Sequence, residues 1–139
     1  MFNSVNQPVP SSALTLLDFD SERFDTDNIH NNAVDNSRLT ANTPGKYQIS
    51  ATVSFADNGE GGTRVLFFRL NGTTIIASQS ATPHPLESPE QPAALTPTTL
   101  YDLVAGDYVE VLAYQDSGAP MNILALPNSS PEFMMVKVA

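Results

Sequence analysis

The sequence predicts an all-β, antiparallel sandwich, and three observations carry that expectation. Eleven Pro and seven Gly are scattered through 139 residues, which interrupts any long helical period. Between these breaks short apolar runs recur at the spacing of strands in a sandwich or barrel. One run alternates residue by residue: Tyr47, Ile49, Ala51, Val53 and Phe55 fall on one face, Gln48, Ser50, Thr52 and Ser54 on the other. A period of two over nine residues belongs to a half-buried strand.

Taken in order, the chain begins with residues 1–12, where Pro8 and Pro10 impose extended backbone. They read as an N-terminal arm with Phe2, Val5 and Val9 spaced along it, ahead of a domain at 13–139 whose length suits a single core. Strands are expected at Ala13–Phe19, Ser37–Ala41, Lys46–Ala56, Thr63–Leu70 and Thr73–Ser80. Four more are expected at Thr98–Leu103, Tyr108–Gln115, Met121–Leu124 and Phe133–Val138. Asn71-Gly72 sits between two apolar runs, and both residues tolerate positive φ, so a type I′ hairpin turn is predicted there. From Ala81 to Pro97, five prolines read as a long surface loop unable to donate a regular ladder.

Three strands carry apolar residues on both faces. Val65 and Phe67 oppose Leu66, Phe68 and Leu70; Tyr108, Leu112 and Tyr114 oppose Val109, Val111 and Ala113; Phe133 and Met135 oppose Met134, Val136 and Val138. A sandwich strand normally presents one polar face to water. An apolar second face needs a cover, and a second subunit is the expected one.

Composition narrows the function classes. Six basic against fifteen acidic residues give a formal charge of −9 and a pI near 4.3, which argues against a nucleic-acid or anionic-membrane partner. With no Cys, disulfides, thiolate metal sites and cysteine nucleophiles are excluded. His30 and His84 are isolated and carry no nucleophile-elbow context. Asp18, Asp20, Glu22, Asp25 and Asp27 could offer hard oxygens to calcium, but the stretch lacks the Gly and closing Glu of a calcium loop. A solvated acidic edge is the simpler reading. No catalytic residue, metal or cofactor is expected.

Three places resemble the tumour-necrosis-factor-like superfamily, in its complement globular-head branch. Leu39, five intervening residues, Gly45, Tyr47, Ile49 and Ala51 are similar to the family's aromatic-x5-Gly-x-Tyr-x-Phe-x-aromatic signature, with aliphatic residues at the aromatic positions. Arg23-Phe24-Asp25 resembles its upstream aromatic-Asp element. Leu103-Val104-Ala105-Gly106-Asp107-Tyr108-Val109 resembles its Leu-x-x-Gly-Asp-x-Val strand start. The resemblance implies a jelly roll of about ten strands in a compact homotrimer, with the doubly apolar strands in one inner sheet. The trimer interface is then expected at Val65, Phe67, Tyr108, Val111, Leu112, Tyr114, Phe133 and Met135, or on the opposite face of the same strands.

Residues 1–12 contain no apolar stretch of signal-peptide type, so the expected product is made in a host cytoplasm without export. The expectation is a non-enzymatic virion structural protein. It would be a trimeric decoration or cement protein of a bacteriophage capsid, docking on the major capsid protein through Phe2, Val5 and Val9. The alternative is the glycan-contacting, receptor-binding head of a phage tail fibre or bacterial surface protein.

Overall fold

The computed structural model describes residues 1–82 and 93–139. Eleven strands run in chain order: β1 Gln7–Val9, β2 Thr15–Leu16, β3 Arg38–Thr40, β4 Gly45–Phe55, β5 Arg64–Leu70 and β6 Thr74–Ala81, then β7 Ala93–Leu95, β8 Thr98–Leu103, β9 Tyr108–Gln115, β10 Met121–Ile123 and β11 Glu132–Lys137. They form two antiparallel sheets. One holds β1, β10, β4 and β11 in that order, with β7 and β8 on the other edge of β4. The second runs β2-β9-β5-β6, with β3 beside β2 on the same edge of β9.

β4 organises the first sheet because its alternation is the cleanest in the chain. Tyr47, Ile49, Ala51, Val53 and Phe55 are all buried, and its length lets it take two partners on each edge. β8 and β7 share one edge; β11 and β10 share the other. From the second sheet, Leu66 and Phe68 of β5 with Val109, Val111 and Ala113 of β9 close the same core. Phe133 sits at the junction, 5.7 Å from the Phe19 ring and 5.8 Å from the Phe68 ring. Three aromatic rings thereby tie β11 to the opposite sheet.

The Gly45 of the resemblance has a local reason. Its φ is +153°, and a Cβ there would lie 2.4 Å from the Ala139 carbonyl oxygen and 2.5 Å from Lys137 Cε. Only Gly lets β4 start so close to the segment leaving β11. At the predicted hairpin, Asn71 and Gly72 both take positive φ, and the Thr73 N–H donates to the Leu70 carbonyl. That is the type I′ geometry expected.

Two strands escape sequence reasoning. β1 contains Pro8, which is tolerated because β1 is the outermost strand of its sheet. β7 shows that Ala93–Leu95, inside the Pro-rich segment, does enter a ladder with β4; residues 83–92 of the expected loop lie outside the described residues. The strand expected at Ala13–Phe19 contracts to Thr15–Leu16, although Leu17 and Phe19 still reach the core.

The N-terminal segment also differs from a free arm. Phe2 bridges Ser21 and Glu132, Gln7–Val9 pairs with Met121–Ile123, and Val9 is fully buried. The extended backbone is as expected, but it lies against the domain. Asp20 helps to hold it. Partial burial alone would raise the Asp20 carboxyl, yet hydrogen bonds from the Ser4 and Ser21 hydroxyls and the Ser4 N–H together hold it below the ordinary value of 3.8. A depressed carboxylate stabilises the fold above that value and loses its contribution as pH falls through the lower, folded value. Ser4→Ala should move the Asp20 titration upward in a carboxyl-carbon NMR experiment; an unchanged midpoint would dismiss the Ser4 bonds as the cause.

Candidate functional site

Two outer faces and one groove are candidates. The outer face of β5 and β9 carries Val65, Phe67, Tyr108, Leu112 and Tyr114, paired across the strands as Val65 with Tyr114 and Phe67 with Leu112. Five of the eight residues expected at a trimer interface therefore do share a surface. That surface is largely self-covered: Leu112 is buried, Arg38 stacks 4.4 Å over the Tyr108 ring, and Arg69 holds Glu110 at 2.9 Å.

The other three residues do not belong there. Val111 points into the core. Phe133 and Met135 lie in the opposite sheet and also point inward. The expectation of one inner sheet for all three doubly apolar strands is thus corrected: β5 and β9 are neighbours, whereas β11 pairs with β4. The reason is that apolarity on both faces of a strand says nothing about which strand lies beside it.

The outer face of β8, β4 and β11 is more exposed. Leu100 and Val136 both pair with Gln48, one on each side, and Met134 and Thr98 both pair with Ser50. Directly opposed residues lie about 4.5–5.5 Å apart at Cβ, so Leu100, Gln48, Val136 and Met134 form one continuous strip. Leu100 is 66%, Val136 58% and Met134 43% exposed. Single exposed apolar residues are ordinary, but a strip of them on one sheet is the mark of a surface that meets another. Sequence reasoning missed Leu100, and held Met134 and Val136 only on the alternative, opposite face of the doubly apolar strands; the polar side chains of β4 between them conceal the strip from any run-based reading.

Beside β11 lies a groove of about 380 Å³. Ile29, Leu39 and Met135 line it together with Met134 and Val136 of the strip, and Glu22, Asp25 and the buried His30 add polar groups. Each of these polar groups has a local partner. The Asp25 carboxylate accepts the N–H of Ile29 and of His30 at 3.0 and 2.9 Å, which shapes the loop. His30 Nδ1 lies 2.8 Å from Glu22 Oε1, and its Nε2 lies 3.2 Å from the Asn36 carbonyl. Asp20, Glu22 and Asp25 are thus each held by different partners, and no group of three potential metal ligands occurs among the described residues. Of the expected docking arm, Val5 is well exposed and Phe2 half-buried under Arg23, 5.2 Å away; Val9, being in the core, is removed from that list.

No family model matches the chain, and no curated protein matches it. Among solved structures, the TNF protein Eiger from S. frugiperda superposes with a TM-score of 0.62 at 13% identity, covering 98% of this chain and 87% of that one. The fold is a TNF-like jelly roll. At that identity the likeness shows the architecture alone. Within a TNF-like jelly roll, β4 is the strand carrying the Gly45-x-Tyr47 pattern, and the strip of Leu100, Met134 and Val136 lies on the sheet that β4 centres.

Proposed function

We propose that this TNF-like jelly roll is a non-enzymatic structural protein that works as a homotrimer, assembled through the outer face of β8, β4 and β11. The exposed strip of Leu100, Met134 and Val136 on one sheet face is the observation that carries the reading. Association removes such a strip from water at roughly 25 cal/mol per Å². The formal charge of −9 per chain argues against an anionic polymer as partner, because an acidic surface repels phosphate.

The setting we propose is the surface of a phage virion, as a decoration protein on the capsid. The cysteine-free, acidic composition supports this reading, and three copies of one weak contact would bind a symmetric shell with strong avidity. Val5, exposed on the N-terminal segment, is the remaining arm residue placed to touch a shell. The test is co-sedimentation of the purified protein with capsids stripped of their decoration. Saturable binding at three-chain stoichiometry supports the proposal. Binding to host cells or their glycans, with none to capsids, would replace it by the receptor-binding reading.

A further inference from the structure

Two Asn-Gly pairs occur in the chain, Asn58-Gly59 and Asn71-Gly72, and the fold treats them differently. An Asn-Gly pair can close into a ring, because the Gly nitrogen approaches the preceding carboxamide with no Cβ in the way. Closure needs a base for the Gly N–H, a polarised carboxamide oxygen and a departing ammonia. At Asn71 the carboxamide is held away from its own peptide. The φ of +49° belongs to the tight turn, Nδ2 donates to Asp107 at 2.8 Å, and Oδ1 accepts the Tyr108 N–H at 2.9 Å. Among the described residues no carboxylate receives the Gly72 N–H.

At Asn58, in the loop between β4 and β5, the required groups converge. The Gly59 N–H donates to Asp57 Oδ1 at 2.8 Å. The Glu60 N–H donates to Asn58 Oδ1 at 3.2 Å, which folds the carboxamide back along the Gly59 peptide. Asn58 Nδ2 donates to Ser117 Oγ at 2.8 Å. Asp57, Gly59 and Glu60 are exposed, so water reaches the loop.

We propose that Asn58 is a self-modification site, converted through a succinimide to aspartate or isoaspartate with Asp57 as the general base. The Asp57 carboxylate takes the Gly59 amide proton, and the freed nitrogen bonds to Asn58 Cγ. Charge developing on Oδ1 faces the Glu60 N–H. The Cγ–Nδ2 bond then breaks, and Nδ2 leaves as ammonia with the proton that Asp57 returns. Water opens the ring at either carbonyl, so the mass falls by one ammonia and rises by one water. The product carboxylate has no N–H to offer Ser117, whose hydroxyl already donates to Gln115 at 2.6 Å and Ala119 at 3.0 Å. Conversion therefore unties the β4–β5 loop from the β9–β10 loop and adds one negative charge.

The test is peptide mapping by mass spectrometry of the full chain held at neutral pH for weeks, with isoelectric focusing to register the added charge. Asn58 should convert at least about tenfold faster than Asn71. In urea both pairs lose their folded partners, and the two rates should converge. Asp57→Asn keeps an oxygen acceptor for the Gly59 N–H but removes the base. It should slow Asn58 by at least about tenfold, the low end for a water-exposed base, with the circular dichroism of the fold unchanged. The proposal is overturned if Asn71 converts as fast as Asn58 in the folded chain, or if Asn58 keeps its lead in urea. It is equally overturned if Asp57→Asn leaves the Asn58 rate unchanged, or if Asn58 stays intact throughout.

Discussion

Aspartate at Val136 should turn a three-chain particle into single chains of 14.9 kDa that remain folded. Val136 is 58% exposed in the single chain, so a carboxylate there meets water and costs the isolated fold little. In an assembled interface the same carboxylate would be stripped of water without a cation to receive it, a cost of several kcal/mol. The neighbours across β4 are Gln48 and Leu100, neither of which can neutralise it. Leu100→Asp should act in the same way from the other side of the strip. Val111→Asp is the contrast: that side chain is fully buried, and the change should unfold the chain rather than dissociate it. Light scattering and circular dichroism on the same samples separate the two outcomes. If Phe67→Asp dissociates the particle while Val136→Asp leaves it intact, the β5–β9 face is the interface after all. A single-chain mass for the unmodified protein at micromolar concentration would end the trimer altogether.

Phe133→Ala should cost about 3–5 kcal/mol and lower Tm by roughly 10–20 °C. The ring is fully buried and lies within 6 Å, centroid to centroid, of both Phe19 and Phe68. Its removal leaves a void bordered by two rigid rings on different elements, which cannot close without moving one sheet toward the other. Phe133→Leu keeps most of the volume and should cost much less. Urea unfolding of the three proteins gives the comparison. A loss below 1 kcal/mol for Phe133→Ala would mean that the aromatic cluster is not the junction it resembles.

The alternation of Tyr47 to Phe55 makes β4 legible in the sequence, and the Asn71-Gly72 turn follows from backbone sterics alone. Both are local properties. Strand neighbourhood is not: Met135 and Leu66 are equally apolar, and only the pairing of β11 with β4 decides that they enter the core from different sheets. The exposed strip was hidden for the same reason, since Leu100, Gln48 and Val136 are drawn into one row by register, across 88 residues of sequence. Val9, expected on a docking arm, is a core residue instead, because Pro8 and Pro10 mark a segment as extended without saying whether it lies against a sheet or leaves it.

The two partners on each edge of β4 also set how the chain must fold in time. Tyr47 to Thr52 waits for residues 132–137, about eighty to ninety positions downstream, and Val9 waits for Met121. During synthesis, β4 therefore spends the passage of more than half the chain with one edge bare. Closing loops of that size before any ladder bond compensates the lost entropy makes the nucleation slow. A nascent chain in this condition has a long, alternating, half-apolar strand available to any neighbour, and crowding several such chains on one message would favour β4-to-β4 aggregates over trimers. Production at low temperature and slow induction should shift the yield toward soluble protein, since the vulnerable interval is kinetic and the finished sheet leaves β4 no free edge along Tyr47 to Thr52.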